Sequence, residues 1–410
     1  MTSSLTRLGS ANTYDNALRN LSARQSALSS LQENLTSGKK VVRASDDPTG
    51  AAQAERAMTR ISRIATDQRA LEAQRSAIAT AEGTLGDVTD ALQNFRELVV
   101  SAGNASQTPA DRKTIALQLT GLRDQIFSLA NRKDSNGQPL FGALGSALAP
   151  FVGPNAPPQD YTFDGLPGQS ASSEVAIPFA LDGDSAFMLQ TNRDGVYNVS
   201  LGSGTTNLKT SPATLNPPTA ATGASYTISF TSVTAAAGNT TASYNIVDSG
   251  SGAAVSSGTK TYTTGQSFTV TEMPGLSLTI TGTPTVADTV KVESSPSLFS
   301  VLDNAINDIG SASSNAAASQ AISQALGNID IGMSRVSAVR GQAGELLNRA
   351  DRITSNQGAR SIQLEADRSR AEDLDMVKGL SDFQNQDTGY QAALKSYAQV
   401  QKLSLFNYIG

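Results

Sequence analysis

The sequence predicts an α+β protein. A long, antiparallel, coiled-coil-like helical bundle comes from both chain ends, and an antiparallel β-rich domain is inserted between them. Three observations carry this. Apolar residues recur every seven positions toward both ends, whereas residues 138–297 lose that period and become rich in Gly, Ser, Thr and Pro. Short alternating apolar runs appear inside that middle stretch. Only 39% of the 410 residues are hydrophobic and 5% aromatic, with no Trp, which suits long helices sharing thin seams better than one large core.

Residues 10–37 open the chain as an amphipathic helix. Tyr14, Leu18, Leu21, Gln25, Leu28 and Leu35 follow a 4-3-4-3 pattern, and Leu21, Leu28 and Leu35 stand seven apart. The stretch LTSGKKVVRASDDPTGAA, residues 35–52, then reads as a helix stop, an extended link and a helix start. Gly38 can take the left-handed conformation that ends a helix, and Lys39 and Lys40 suit the negative end of its dipole. Val41 and Val42 favour extended backbone. Asp47 is a good N-cap and Pro48 is preset for the first helical position.

From Pro48 to about Gly103 the signal is strongest. Ile64, Leu71, Ile78, Leu85, Leu92 and Val99 recur every seven residues, with Ala81, Val88 and Phe95 at the second seam position. Arg56, Arg60 and Arg63 form a basic stripe that reads as a solvated face. A third helix opens at Thr108-Pro109-Ala110-Asp111, with Ile115, Leu119, Leu122, Ile126 and Leu129 as its apolar stripe. Asp134-Ser135-Asn136-Gly137 is a turn.

Strands are expected at 226–230, 244–247, 267–270, 276–280 and 289–292, each bounded by Gly, Asn, Asp or Pro. Residues 201–222 read as a flexible or exposed loop. Helix returns near Pro296. Ile322, Leu326, Ile329, Met333, Val336, Arg340, Ala343, Leu347 and Ala350 keep a 4-3 spacing, with Arg340 interrupting the seam to snorkel or pair. Met376, Leu380, Phe383, Asp387, Tyr390, Leu394, Tyr397 and Gln401 continue it. The expected division is 1–47 (first helix and link), 48–137 (core helices), 138–297 (β-rich domain), 298–372 (returning core helices) and 373–410 (last helix). The first and last helices have no other seam to meet, so they are expected to pair, as a hairpin that is marginal on its own.

Catalytic chemistry is hard to build from this chain. It has no Cys and no His, which removes thiolate metal sites and the commonest general base. A net charge of −5 and a pI near 5.0 argue against a nucleic-acid surface. GAAVSSGTK, residues 252–260, has the wrong spacing for a phosphate loop. Leu181-Asp182-Gly183-Asp184 lacks a calcium-loop pattern and reads as a hairpin turn. Asp46 and Asp47 have no accompanying base or nucleophile, so capping and an ion pair with Arg43 are the expectation. Neither enzyme activity nor a cofactor or metal is expected. Residues 1–20 lack a continuous apolar signal region, and no stretch approaches the ~18 apolar residues that cross a bilayer, so no membrane insertion is expected. The chain is expected to stay in the cytoplasm or to leave without a cleaved signal.

Leu35-Thr36-Ser37-Gly38-Lys39-Lys40 and Ala44-Ser45-Asp46-Asp47-Pro48 resemble the signature of the flagellin superfamily. Within it the chain is most similar to the hook-associated proteins of the hook–filament junction. The matching residues are 131–142 (NRKDSNGQPLFG), Ala149-Pro150-Phe151, 160–165 (DYTFDG), Tyr390-Gln391-Ala392-Ala393-Leu394 and 403–409 (LSLFNYI). Pro48 departs from the Ala common in filament flagellins.

The resemblance implies a structural subunit of the bacterial flagellum, located outside the cell and exported by the flagellar type III route. It would join the hook-associated layer to the filament, with its terminal helices packed around the export channel. Implied partners are flagellin, the first hook-associated protein, copies of the chain in a ring or helical layer, and a cytoplasmic export chaperone. Carried over by position, the assembly residues are Leu18, Leu21, Leu28 and Leu35 at the front. At the back they are Leu380, Phe383, Tyr390, Leu394, Tyr397 and Leu405. Gly38, Arg43, Asp46, Asp47 and Pro48 form the link between layers. A filament flagellin is the alternative, and an adhesin acting through the β-domain is a third reading.

Overall fold

The computed structural model describes residues 3–155, 160–202, 208–216 and 221–409, with side chains described from 12 to 399 apart from 13 and 192. The architecture is the α+β one the sequence predicts. Residues Met1–Arg69 with Thr354–Gly410 form one compact unit and Ala70–Ile353 a second.

The long elements follow the heptads. Helix α1 spans Ser3–Ser37, α2 Pro48–Ala102 and α3 Pro109–Ala130. Two short helices, α4 (Gly183–Phe187) and α5 (Thr191–Asp194), precede α6 (Leu298–Ser311), α7 (Asn315–Glu372) and α8 (Met376–Ile409). In the second unit Leu71, Ile78, Leu85, Leu92 and Val99 are each at most 1% exposed, so the seven-residue spacing places one row of α2 wholly in the core. From α7, Ile322, Ile329, Val336, Ala343 and Ala350 join the same core. The two helices run antiparallel, as Arg75 with Asp351 (3.1 Å), Glu82 with Arg340 (2.7 Å) and Arg96 with Asp330 (2.9 Å) show. Arg340 thus leaves the apolar row to pair. Helix α3 begins with the expected capping box, Thr108 Oγ1 accepting from the Asp111 N–H and the Asp111 carboxylate from the Thr108 N–H.

Residues between α3 and α5 contain little regular structure beyond β1 (Phe151–Val152), β2 (Thr162–Phe163) and the short α4. They nevertheless belong to the helical core. Phe141, Phe151, Tyr161 and Phe187 are buried there, and Phe299 of α6 lies within 5.7 Å, ring centre to ring centre, of Phe127, Phe151, Tyr161 and Phe187. Asp182 does not sit in a hairpin turn. It caps α4, its carboxylate accepting from the Asp184 N–H and the Ser185 hydroxyl.

A second core begins at Tyr197. Strands β3 (Tyr197–Leu201), β4 (Lys209–Thr210), β5 (Thr214–Leu215), β6 (Tyr226–Ala236), β7 (Asn239–Asp248), β8 (Ala254–Thr263), β9 (Ser267–Met273), β10 (Leu276–Thr281) and β11 (Thr289–Ser294) surround it. One sheet has the order β3-β11-β6-β7-β8, the other β4-β10-β5 with β9 also on β10, and every pairing is antiparallel. Alternation sets the faces: Tyr226, Ile228 and Phe230 point inward from β6 and Tyr244 and Ile246 from β7.

One strand was not foreseen, and one expectation is corrected here. Residues 252–260 contribute most of β8, a strand of mainly small polar residues that β7 holds by backbone pairing. Residues 201–222 are not simply an exposed loop: Leu208 and Ala213 are buried, and β4 and β5 pair with β10. Polar contacts join the two cores. Asn328 donates to the Tyr197 carbonyl (3.0 Å), the Thr210 N–H to Gln320 (2.9 Å), and Asn198 to the Asp308 carboxylate (3.2 Å).

Candidate assembly interface

The link after α1 is built as the sequence suggests, and it has a second strand of chain beside it. Gly38 has φ +70°, the left-handed value that favours glycine. Its carbonyl accepts from the Leu374 N–H at 2.9 Å, and the Lys40 N–H donates to the Glu372 carbonyl at 2.8 Å. Residues 38–41 therefore pair with the break between α7 and α8. Lys39 Nζ pairs with the Glu372 carboxylate, and Lys40 Nζ reaches the Arg370 carbonyl at 2.6 Å, a cation on the last turn of α7. Glu372 also takes Arg368 at 3.1 Å. Val41 is buried.

Asp47 caps α2, accepting from the Thr49 and Gly50 N–H groups at 3.0 Å each. A side chain at Gly50 would meet the Asp47 carboxylate at 2.5 Å and the Ala371 carbonyl at 3.1 Å, so glycine there lets the start of α2 approach the end of α7. Asp46 accepts from the Arg43 N–H (2.8 Å) and the Val42 N–H (3.2 Å), and the Arg43 N–H holds its carboxyl below the usual carboxylate range. The expected Asp46–Arg43 side-chain pair is not the one formed: Arg43 Nη2 binds Glu33 at 2.7 Å. The turn already fills the Asp46 carboxylate with backbone donors, which leaves the guanidinium free to reach α1.

Helices α1 and α8 pack antiparallel. Leu35 lies beside Gly379, Arg24 beside Gly389, and the rings of Tyr14 and Tyr397 stand 5.6 Å apart. The predicted seam residues divide into two groups. Leu21, Leu28 and Leu35 on α1, and Phe383, Tyr390 and Tyr397 on α8, are half-buried. Leu18, Leu380 and Leu394 are 43%, 51% and 42% exposed, so two paired helices leave them uncovered. Met376 and Val377 extend the exposed apolar surface. The side chain of Leu405 lies outside the described residues.

Sequence reasoning divided the chain at 372/373 but missed that this break pairs with the link. Glu372 and Leu374 carry that pairing, and the break has no Gly or Pro to announce it. The available signal was Asp375, which accepts from the Val377 and Lys378 N–H groups and caps α8. Among the described residues no cluster of acidic side chains could hold a metal ion, and no helix is long and apolar enough to cross a membrane.

Residues 10–144 match the bacterial flagellin N-terminal helical region, and residues 326–409 the bacterial flagellin C-terminal helical region. The flagellar hook-associated protein 3 of Escherichia coli K12 is 35% identical over 141 residues, 34% of this chain and 44% of that protein. The aligned stretch thus spans less than half the length of that curated relative. A flagellin of Clostridium tyrobutyricum is 27% identical over 404 residues, covering 94% of this chain and 96% of that protein. Among solved structures, Xanthomonas campestris FlgL is 26% identical with a TM-score of 0.53, covering 72% of this chain and 94% of that one. A flagellar hook-associated protein-3 from Legionella pneumophila, 24% identical, shares the fold with a TM-score of 0.60 over 76% of this chain and 97% of that one. With the two helical regions together matching more than half of the residues, the chain belongs to the bacterial flagellin family.

Proposed function

We propose that this protein is the structural subunit that joins the hook-associated layer of the flagellum to the flagellin filament. The observation that carries assembly is the uncovered apolar row on the terminal hairpin. Leu18, Leu380 and Leu394 gain little from the folded chain alone, and burying each fully is worth ~1.5–3 kcal/mol. An assembled layer around the export channel supplies that cover. Residues 38–47, tied to 370–374, then form the link between that layer and the long helices, with the β-domain facing outward. The partners are the first hook-associated protein below, flagellin above and copies of the chain alongside, with an export chaperone in the cytoplasm. The protein acts outside the cell as part of the flagellum, and it is not an enzyme. Its similarity to hook-associated protein 3 supports the junction over the filament.

A second reading, a filament flagellin, is favoured by the nearly full-length alignment to the C. tyrobutyricum flagellin. Electron microscopy of the purified chain separates them. Long filaments from the chain alone make it a flagellin. A chain that forms no long polymer, but from whose ends flagellin grows, is a junction protein.

A further inference from the structure

The chain crosses between its two cores at residues that lie side by side. Val196 belongs to the helical core and Tyr197 to the β core, and after β11 the chain returns to the helical core at Leu298 and Phe299. Ser294 pairs with Tyr197 in the β3–β11 ladder, and the Ser295 N–H donates to the Val196 carbonyl at 3.1 Å. The covalent connection is therefore a two-strand neck at one edge of the five-stranded sheet. Next to it, Asn198 donates to the Asp308 carboxylate of α6 at 3.2 Å.

Beyond the neck, α7 meets the β-domain through a polar stripe. Gln320, Gln324 and Asn328 follow one another at four-residue intervals, on one face of the helix. Asn328 donates to the Tyr197 carbonyl at the neck. Gln320 stands about 12 Å further along the helix axis, eight residues at 1.5 Å each. It accepts from the Thr210 N–H at 2.9 Å and donates to the Thr210 hydroxyl. Gln324 lies between them. It is 1% exposed, and both its amide oxygen and its amide nitrogen are buried without a hydrogen-bond partner among the described residues. Gln357 is the other glutamine in that state, and it lies in the other compact unit.

A buried amide without partners favours the state in which water reaches it. The apolar residues on the two sides of this seam form separate cores instead of one, so each side keeps its own core if the seam opens. We infer that the neck is a hinge and the stripe a latch: the β-domain swings away from α7 as a folded unit, and Gln324 is what makes the latch weak. The motion breaks the Gln320–Thr210 contacts and leaves the strand ladders intact. It does not depend on whether the chain is a junction or a filament subunit.

The test is amide exchange of the full chain, with two neighbouring amides as reporters. The Thr210 N–H is held by Gln320 across the latch, and the Ser211 N–H by the Thr279 carbonyl inside the β-domain. Swinging exposes the first and not the second, whereas fraying of β4 exposes both. In the wild-type chain Thr210 exchanges about tenfold or more faster than Ser211, and faster than Ile246 at the middle of the sheet, once intrinsic rates are allowed for. Gln324→Met keeps the length of the side chain and removes the unpaired amide. It slows exchange at Thr210 about tenfold, which is ~1.4 kcal/mol. Gln324→Leu makes the same change in a second form. Gln357→Met, the like change in the other unit, leaves Thr210 exchange as it was.

Thr210 exchanging as slowly as Ser211 in the wild-type chain overturns the hinge, and that comparison needs no variant. Unchanged or faster exchange at Thr210 in the Gln324 variants overturns Gln324 as the weak point. Neither result bears on the assembly role, which is read by filament growth.

Discussion

Gly38 is where one residue decides the most. Its φ of +70° ends α1 and aims its carbonyl at the Leu374 N–H. Gly38→Ala should cost about 1–2 kcal/mol, the penalty of a Cβ in left-handed backbone. Faster amide exchange at Lys40 and Leu374 is the expected reading, and wild-type protection there would refute it. Asp47 and Pro48 were equally legible, because a cap and a preset φ are local properties. The route of Arg43 to Glu33 was not, because the choice between two carboxylates depends on which one the backbone already occupies. In the β-domain, Glu272 is opposed by burial, yet hydrogen bonds from Lys260 and Tyr244 hold its carboxyl down at about 2. Its folded value is below the ordinary one, so its stabilising contribution is present above the ordinary carboxyl range and is lost as pH falls toward about 2. Acid unfolding of the sheet, followed by circular dichroism, should lose that dependence in Glu272→Gln. An unchanged acid midpoint would refute it.

At the scale of elements, a heptad pattern reports that a row is apolar and says nothing of how many neighbours will cover it. In α2 the row through Leu85 and Val99 is wholly buried because α3, α6 and α7 contribute to the same core. In α1 and α8 the same kind of pattern meets one partner helix among the described residues, and Leu394 remains 42% exposed. Leu394→Asp therefore leaves the isolated chain folded, with a stability change within about 0.5 kcal/mol, as for other surface substitutions. It is expected to abolish incorporation into the flagellum, seen by microscopy, because the assembled layer would bury the charge. Phe299→Ala should behave oppositely, costing about 3–5 kcal/mol in denaturant unfolding, since it empties the centre of the aromatic cluster. That cluster was hidden in the sequence, because Phe151, Tyr161 and Phe187 lie in stretches without period, and only packing brings them to Phe299. Strand β8 was hidden for another reason: its Ser, Gly and Thr residues carry no apolar alternation, and its partner β7 makes it a strand.

For the whole molecule, the plan of helical ends around a β-rich middle was readable from the change of period near residue 138. The place where the core changes was not. Phe141 and Phe187 return to the helices, and the β core starts at Tyr197. We propose that the terminal hairpin is the loosest part of the isolated chain, because its seam is half-exposed where Leu85 and Phe95 are fully enclosed. Amides of Leu21, Leu28 and Leu394 should exchange far faster than those of Leu85 and Phe95 in dilute protein, and slow down on assembly. Equal protection in dilute protein would remove that idea.

The junction role is tested most directly by adding flagellin to hook ends prepared with and without this protein and measuring filament growth by electron microscopy. Growth only from ends that carry the protein, with no long polymer from the protein alone, is the predicted result. Equal growth from bare ends, or long filaments made by this chain by itself, would contradict it.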